Sequence, residues 1–322
     1  MFEVLHSRKS GMIVFHVVFA VLMNRHTIKA CPICGKKRFN HFAECKDWVI
    51  SEEIYSLLKC EDCGMIFTQD APTEEDLPKY DKIKQKLAHG DAPRGLLNNL
   101  YYYARQIMLT RKAKLVERLS CVRNGTLLNF GAKTGFFSNR MIRRGWRVTS
   151  VERHHEERLF SLEFFHHRML DIKELDSQQS GFFDVITLWH VFEHLHSPAD
   201  FLDKFFDLLK PNGLLFIAVP NCQSFDAGHY GAGWAAYDAP RHLWHFNTDT
   251  ITRLCHQRGF ILMYHQAMPL DSFYVSIMSE KHLRHWFPFI RGFFVGLYGW
   301  AQSINKRDRG SSLVYVFRKN KA

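Results

Sequence analysis

The second half of the chain alternates short apolar runs with stretches of helical periodicity. The apolar runs are rich in Val, Ile, Leu and Phe, and turn-forming residues separate them. Strands and helices that alternate in this way predict an α/β fold around a parallel sheet. The predicted strands are Thr126–Phe130, Arg147–Val151, Phe183–Trp189 and Leu214–Val219, the helices between them are Phe136–Arg144 and Ala199–Leu209, and the closing strands are Gly259–Gln266 and Ser312–Arg318.

A different pattern precedes this region. The apolar stretches Trp48–Ile50 and Ile54–Leu58 predict a β-hairpin, and an acidic, proline-marked linker follows at Ala71–Pro78. Apolar residues in Gly95–Ser120 then recur at helical spacing. We expect three units after the N-terminal extension: a ribbon at 25–70, a linker with a helical region at 71–120, and an α/β domain at 121–322.

Two matched cysteine pairs frame the predicted hairpin. Cys31-Pro-Ile-Cys34-Gly and Cys60-Glu-Asp-Cys63-Gly each place two thiols on a tight turn, and the glycine after each pair permits that turn. Two such pairs are typical of a structural Zn²⁺ site, whereas a redox C-x-x-C motif needs only one pair. We therefore predict zinc bound by Cys31, Cys34, Cys60 and Cys63, and leave Cys45 outside the site.

Residues 1–24 combine a basic start with an apolar run at Met12–Met23. The run is shorter than the roughly 20 residues of a membrane span, and Asn24-Arg25-His26 follows it instead of a small-residue cleavage site. We interpret this segment as an extension with a mis-assigned start, translation beginning at Met23. A weak membrane anchor is the alternative.

Composition limits the remaining classes. A chain of 322 residues with 46% hydrophobic residues can form a packed core, which excludes global disorder. The formal charge of +11 favours an anionic partner, such as a phosphorylated metabolite, nucleic acid or a membrane surface, although a solvated basic surface is equally compatible. The eight cysteines do not form a secreted disulfide framework, so we expect a cytoplasmic protein.

The turn after the first predicted strand reads TLLNFGAKTGFFSNRM. Ala132 separates Gly131 from Lys133, which excludes a P-loop, and the spacing of Gly131 and Gly135 does not make a G-x-G-x-x-G fingerprint. Glu152 ends the next strand, where doubly wound folds place a carboxylate for ribose hydroxyls. Asp171 and Ile172 follow the next segment, where an acid and an apolar side chain suit an adenine. The pattern predicts a site for an adenosine-containing ligand.

Longer motifs add a family resemblance. FFDVITLWHVFEHLHSPADFL, LLKPNGLLFIAVPN and WAAYDAPRHLWHFN, together with CPICG and CEDCG, resemble the class I S-adenosylmethionine-dependent methyltransferases of the bacterial branch with an N-terminal zinc ribbon, related to quinone and sugar methyltransferases. The resemblance implies a Rossmann-like methyltransferase sheet with a small zinc ribbon. It also implies S-adenosylmethionine as cofactor, with binding residues Gly131, Ala132, Lys133, Gly135, Glu152, Asp171, Ile172, Leu188 and His190.

Two residues depart from the family loop, which usually reads Asp-x-Gly-x-Gly-x-Gly. Asn129 replaces the acid and Lys133 replaces the middle glycine. Lysine there needs a left-handed backbone that side chains disfavour. Its ammonium either pairs with the cofactor carboxylate or crowds it, and we expect binding to be retained.

Catalytic candidates follow the later strands. His190-Val-Phe-Glu193-His194 matches the inverted zinc-peptidase motif H-x-x-E-H, but it begins directly after a predicted buried strand, which argues against that chemistry. The segment 221–247 is the expected substrate loop, and His242 is the candidate base, with structural capping of the loop as the alternative. In the insertion 269–310, Leu283–Trp300 predicts a core-packing helix, or one that caps the site or contacts a lipid-like substrate.

These observations favour methyl transfer to an anionic small molecule, or to a lipid- or nucleotide-linked acceptor. The alternatives are an RNA-modifying or RNA-binding ribbon protein and a cofactor-binding protein with impaired catalysis. The segment Cys31–Cys63 lacks dense basic and aromatic interleaving, so nucleic acid is not favoured. We predict no transmembrane segment and leave peripheral membrane contact open.

Overall fold

The computed structural model describes residues 24–77, 79–80 and 96–320. The interpretation of residues 1–24 therefore falls almost wholly outside the described residues. The fold has two main sheets: a six-stranded sheet in the C-terminal part, and a four-stranded sheet built largely from the N-terminal part. We call residues 25–72 the cysteine ribbon. Its strands are β1 (Arg25–His26), β2 (Phe39–Lys46), β3 (Ile54–Cys60), β4 (Ile66–Thr68) and β5 (Ala71–Pro72).

The C-terminal part alternates strands and helices, as predicted. Its strands are β6 (Thr126–Phe130), β7 (Arg147–Val151), β8 (Phe183–Trp189), β9 (Leu209–Pro220), β10 (Trp244–His245), β11 (Phe260–Ala267) and β12 (Ser312–Lys319). The helices are α1 (Leu96–Ser120), α2 (Phe136–Ile142), α3 (His155–Phe165), α4 (Pro198–Leu208), α5 (Phe225–Tyr230), α6 (Thr248–Gln257), α7 (Asp271–His282) and α8 (Pro288–Asn305).

The central sheet has the order β7-β6-β8-β9-β12-β11. Its first four strands are parallel, whereas β12 and β11 run antiparallel to their neighbours. The chain leaves β6 for β7 on one side and later returns to β8 on the other. This reversal of direction opens a crevice at the carboxyl ends of β6 and β8. The α/β, Rossmann-like prediction is confirmed.

Successive side chains along each strand point to opposite faces of the sheet, and each face packs against an apolar layer. Leu128 and Ile186 face a cluster that includes Phe205 of α4 and Leu254 of α6. The residues beside them on the strands, Leu127 and Val185 among others, face a second cluster that α1 and α2 complete. Because both faces are covered, β6 and β8 are largely apolar along their length.

The last central strand starts earlier than predicted. The helix ends at Leu208 and β9 begins at Leu209, so the turn residues Lys210–Gly213 lie inside the strand. Phe183 pairs with Leu209 and Val185 pairs with Leu214, which means that this turn bulges out of the ladder. The predicted turn is real, but hydrogen bonding to β8 begins before it.

The hairpin of the cysteine ribbon is formed by β2 and β3. The prediction placed one of its strands at Trp48–Ile50, and this was wrong, because these residues form a turn. The physical reason is the Asp47 carboxylate, which accepts hydrogen bonds from the backbone N–H groups of Val49 and Ser51, both at 2.9 Å. A side chain that satisfies successive backbone donors stabilises a turn over a strand.

The ribbon sheet includes a strand from the distant loop 221–247. β10 pairs antiparallel with β4, which gives this sheet the order β10-β4-β3-β2. The Thr68 hydroxyl also donates to the His242 carbonyl at 2.7 Å, and Gln257 donates to the Ile33 carbonyl at 2.8 Å. The expected substrate loop is thus built into the junction of the two units, and residues 241–247 are all buried.

A buried guanidinium joins the same two units. Arg241 is 1% exposed, and its Nη2 donates to Asp47 at 2.9 Å and to Asp238 at 2.7 Å. Burial lowers the pKa of Arg241, but the neighbouring Asp238 and Asp47 carboxylates have the larger effect, so the pKa of Arg241 is raised overall. The pKa of Asp47 is held below its ordinary value, because Arg241 and the turn N–H groups offset the effect of burial.

The insertion 269–310 folds into a helical hairpin of α7 and α8. The predicted helix over Leu283–Trp300 corresponds to α8, which begins later, at Pro288, and runs on to Asn305, whereas α7 ends at His282, before the predicted range. Among the described residues, none of the helices is long and apolar enough to cross a membrane.

The buried Arg241 network generates a stability prediction. We expect Asp47→Ala to lower the free energy of unfolding by about 3–5 kcal/mol, because it leaves a buried cation short of one partner. Urea unfolding measures this change. Asp203→Ala is the matched control: it removes the exposed Arg258–Asp203 pair and should cost at most about 1 kcal/mol. Equal effects of the two substitutions would contradict the structural role of Arg241.

Candidate functional site

A cavity of about 270 Å³ lies at the carboxyl ends of the parallel strands. The loops after β6, β7 and β8 form most of its wall, as expected for the crevice of a doubly wound sheet. Its lining residues are Leu77, Phe130, Gly131, Lys133, Val151, Glu152, Arg153, His154, Glu157, Ile172, His190, Val191, His194 and Leu195.

The turn after β6 requires glycine at two points. Gly131 has a φ of +70°, and a Cβ there would lie 2.4 Å from a methyl group of Val191. Gly135 has a φ of +81°, and a Cβ there would lie 2.5 Å from Cε of Met169. A side chain at either position would be strained and would collide with its neighbours. Of the two, Gly131 lines the cavity, whereas Gly135 lies behind it at the start of α2.

Glu152 anchors this turn from the end of β7. One carboxylate oxygen accepts the Lys133 N–H at 2.7 Å, and the other accepts the His154 N–H at 3.0 Å. The residue is buried but lines the cavity. Each carboxylate oxygen accepts two hydrogen bonds, so Glu152 retains acceptor capacity toward a ligand.

Lys133 has the left-handed backbone that the sequence predicted, with a φ of +49°. Its N–H bond to Glu152 offsets that strain. Its side chain lines the cavity, and within the described part of the chain its ammonium has no carboxylate partner. Lys112 lies close enough to Lys133 to interact electrostatically, and burial lowers the pKa of Lys112 to about 8.

Asn129, the other departure from the family loop, points away from the cavity. Its side-chain amide donates to Ser138 at 2.9 Å, and its side-chain carbonyl accepts from Thr187 at 3.0 Å. The side chain therefore ties β6 to α2 and to β8. An amide suits this position because it can donate and accept at once.

The remaining predicted cofactor residues differ in placement. Ile172 lines the cavity, whereas Asp171 caps the turn that follows it and pairs with Arg158 at 2.8 Å. Ala132 donates its N–H to the Val151 carbonyl at 3.0 Å. Leu188 is fully buried in the core under the cavity floor and is absent from the lining. The structure thus brings some of the predicted set to the cavity and assigns the others to its support.

His190 begins the third wall of the cavity and adopts a φ of +56°. Its Nε2 lies 3.1 Å from Asp271 at the start of α7, and its Nδ1 lies 3.6 Å from Glu193. Burial lowers the pKa of His190, but these two carboxylates outweigh it and raise the pKa above its ordinary value. His190 is therefore suited to carry positive charge into the cavity.

Glu193 is fully buried at the centre of three imidazoles. Among the described residues its oxygens have no hydrogen-bond partner within normal distance. Burial raises its pKa, but His190, His242 and His194 lower it to about 2. The carboxylate is thus ionised and stabilised by the imidazoles around it.

His194 and His242 pack edge to face, with ring centroids 4.6 Å apart. His194 lines the cavity and donates Nδ1–H to the Arg241 carbonyl at 2.9 Å. His242 is absent from the lining and donates Nδ1–H to the Ala236 carbonyl at 2.8 Å. The predicted base is therefore separated from the cavity by His194, and its catalytic role stays a prediction.

The H-x-x-E-H motif does not form a peptidase site. His194 lies on a short 3-10 turn, Phe192–His194, and His190 precedes that turn. The ligand atoms that cluster within 4.8 Å are those of Glu193, His194 and His242, so the two histidines of the motif do not converge.

The four predicted metal ligands do converge. The Sγ atoms of Cys31, Cys34, Cys60 and Cys63 lie within 4.8 Å of one another. A tetrahedral zinc site separates its sulfurs by about 3.8 Å. The two turns are alike, since Gly35 and Gly64 each donate N–H to the carbonyl of the first cysteine of their pair. Cys45 lies elsewhere, against the Ala232 carbonyl.

Sequence reasoning missed several residues of the site. Arg153 and His154 could have been found, because they directly follow Glu152 at the end of a predicted strand. Asp271 carried no local signal, since it lies 81 positions after His190 in an insertion that predicted only a helix. Its position becomes visible only when α7 packs beside β8.

Comparison with known proteins identifies the fold and the kind of chemistry. A family model described as a methyltransferase domain matches residues 103–265, half of the chain. The curated relatives include a ubiquinone biosynthesis O-methyltransferase of Xanthomonas euvesicatoria pv. vesicatoria, 26% identical over 182 residues, with 54% of this chain and 73% of the relative covered.

The corresponding enzyme of Caulobacter vibrioides is 32% identical over 103 residues, which cover 30% of this chain and 41% of the relative. The chain thus spans about half the length of most curated relatives that it matches. Among solved structures, the 1,6-didemethyltoxoflavin-N1-methyltransferase of Burkholderia thailandensis has a TM-score of 0.48 at 14% identity, with 81% of this chain and 98% of that chain covered.

Proposed function

The chain belongs to the methyltransferase-domain family as a class I S-adenosylmethionine-dependent methyltransferase, and we propose that it methylates a hydroxyl oxygen of a small anionic acceptor. The observation that carries this proposal is the position of His194, which lines the cavity. Because its Nδ1–H is held by the Arg241 carbonyl, its Nε2 is the nitrogen that can accept a proton in the cavity.

The cavity supports a specific placement of the cofactor. We assign the ribose hydroxyls to Glu152, which is buried and already oriented by two backbone N–H groups. Ile172 offers an apolar surface to the adenine. The Lys133 ammonium is the partner of the methionine carboxylate. Ala132, Gly135, Asp171 and Leu188 then act through the backbone and the cavity floor.

The reaction needs proximity, orientation and removal of one proton. Bound S-adenosylmethionine supplies an electrophilic methyl group on a sulfonium. Transfer of that methyl group to the acceptor oxygen would leave the sulfur–carbon electron pair on sulfur and one proton to be removed from the oxygen. His194 takes the hydroxyl proton, and His242, behind it, holds the ring in place through their edge-to-face contact.

Charge around the cavity supports an anionic acceptor. Besides Lys133, which we assign to the cofactor, Arg153 and His190 line it, and the carboxylates among its lining residues are Glu152, assigned to the ribose, and Glu157. Oxygen is favoured over nitrogen by the function of these curated relatives, which are O-methyltransferases. The reduced thiols of the ribbon suit a cytoplasmic enzyme.

The alternative of a cofactor-binding protein with impaired catalysis has little support. It rested on Asn129 and Lys133, and both have a structural account here: Asn129 links three elements of the core, and the Lys133 backbone is held by Glu152. The RNA-binding alternative gains no specific observation, because the ribbon cation Arg38 is paired with Asp62 and Glu61.

We also propose that the cysteine cluster binds a structural zinc ion. The support is the convergence of four free thiols in two alike turns. Zinc would fix the ribbon against the α/β domain, because Cys31 and Cys60 pack within its core and Gln257 of α6 bonds the turn between Cys31 and Cys34.

The cofactor placement predicts the effect of Glu152→Ala. We expect S-adenosylmethionine to bind about 1.5–3 kcal/mol more weakly, since hydrogen bonds to a charged acceptor are lost. Titration calorimetry of the folded variant measures this. Glu156→Ala, an exposed acid nearby on α3, is the control and should bind normally. Unchanged affinity in Glu152→Ala would overturn the placement.

The proposed chemistry predicts the acceptor class. With labelled S-adenosylmethionine, we expect methylation of a hydroxyl of 3,4-dihydroxybenzoate, less methylation of uncharged catechol, and none of 4-aminobenzoate. His194→Ala should lower kcat by about 10²–10⁴ while cofactor binding is kept. His256→Ala, at an exposed histidine of α6, should be silent. Label in the amine or in RNA instead, or no transfer to these acceptors, would contradict the proposal.

The zinc proposal predicts one zinc ion per chain. Elemental analysis of the purified protein should show it, and Cys34→Ser should lose it and lower the melting temperature. Cys121→Ser, at an exposed free cysteine, should retain the metal. Protein without zinc, in which all four ribbon thiols react freely, rules the site out.

A further inference from the structure

The outer face of α8 carries an unusual concentration of exposed apolar side chains. Of the 22 large apolar side chains exposed in the described chain, ten lie between residues 286 and 304. They include Trp286, at 84% exposure, and eight of the ten belong to α8 itself. The ten are Trp286, Phe287, Phe289, Ile290, Phe293, Phe294, Leu297, Tyr298, Trp300 and Ile304. An apolar surface of this kind marks an interaction site.

The inner face of α8 is made of small residues. A Cβ at Gly292 would lie 2.5 Å from Cα of Ile277, and one at Gly296 would lie 2.7 Å from Cα of Phe273. Gly299 and Ser303 continue the same buried face. α8 therefore packs backbone to backbone on α7 and directs its bulky side chains outward.

This arrangement is the reverse of the one expected for a helix that faces water. A surface helix in a soluble domain buries its large apolar residues and exposes polar ones. Helices in lipid instead pack through small residues and leave large apolar residues facing outward. The packing of α8 thus indicates an apolar environment outside the protein.

Charge at the two ends of α8 identifies that environment. Between residues 280 and 309 there are six Lys and Arg side chains and two acids: Glu280, which pairs with Arg291 at 2.8 Å, and Asp308, which pairs with His265 at 2.9 Å. The cations are Lys281, Arg284, Arg291, Lys306, Arg307 and Arg309. All six are exposed, and five of them flank α8 rather than lie in it. Aromatic residues between basic ends are typical of a helix that lies in the interface of an anionic bilayer.

We propose that α8 docks the protein on an anionic lipid surface. The helix is about 27 Å long by its rise per residue, and it lies flat, with the apolar face below the headgroups and the basic ends among the phosphates. The α7 partner helix begins at Asp271, the residue bonded to His190, so the docking hairpin is joined to the wall of the cavity. This proposal does not rest on the identity of the acceptor.

Co-sedimentation of the full chain with vesicles tests the docking. We expect binding to equimolar phosphatidylglycerol and phosphatidylcholine, weak binding to phosphatidylcholine alone, and weaker binding as salt rises. Ile290→Ser with Phe294→Ser should lower the partition coefficient about tenfold or more. The matched control is Ile54→Ser with Phe164→Ser, at 68% and 65% exposure against 59% and 62%. The control should bind like the unmodified protein.

A second readout locates the contact. Brominated lipids should quench tryptophan fluorescence, and Trp286→Phe with Trp300→Phe, which removes both tryptophans of this face, should abolish most of that quenching while vesicle binding is kept. Four outcomes would overturn the proposal: no binding to either vesicle, equal loss in the two serine double variants, binding without quenching of these two tryptophans, or a dimer in sedimentation velocity that Ile290→Ser with Phe294→Ser disperses. The last outcome would assign the face to a second copy of the chain.

Discussion

The buried guanidinium of Arg241 is the interaction on which the rest of the structure depends. Its side chain donates hydrogen bonds to Asp47 of the ribbon and to Asp238 of the loop, and these contacts join two units that are far apart in sequence. The same Asp47 carboxylate shapes the turn at residues 48–51. A buried cation of this kind is tolerated only when carboxylates surround it, so ribbon and loop constrain each other.

The loop that Arg241 fixes also supports the cavity wall at residues 190–195 from behind. The Arg241 carbonyl holds the His194 ring, and the Leu243 N–H donates to the Glu193 carbonyl at 2.9 Å. The position of the histidine in the cavity is therefore set by the junction between the two units. This gives the cysteine ribbon a role in the proposed methyl transfer: it contributes no residue to the cavity lining, yet it supports the loop that positions His194.

The other side of the cavity is fixed by the α7–α8 hairpin. Asp271 holds His190, whose ring lines the cavity, while Gly292 and Gly296 bring α8 close enough to cover α7. The glycine face that permits this packing also forces the bulky residues of α8 outward. Close packing inside and apolar exposure outside thus have one cause, and the proposed lipid surface is the environment in which that exposure is stabilising.

The sequence by itself determined the features that local physics controls. The apolar runs predicted the central strands, and Glu152 was found because it ends one of them. The glycines at 131 and 135 marked the turn after β6, where both residues have a positive φ. Tertiary structure alone decided that Asp47 turns the chain at Trp48, that Trp244 joins the ribbon sheet, and that His194 rather than His242 lines the cavity. Each of these depends on a contact between residues distant in the chain, or on a side chain that overrides apolar periodicity, and local patterning carries no information about either.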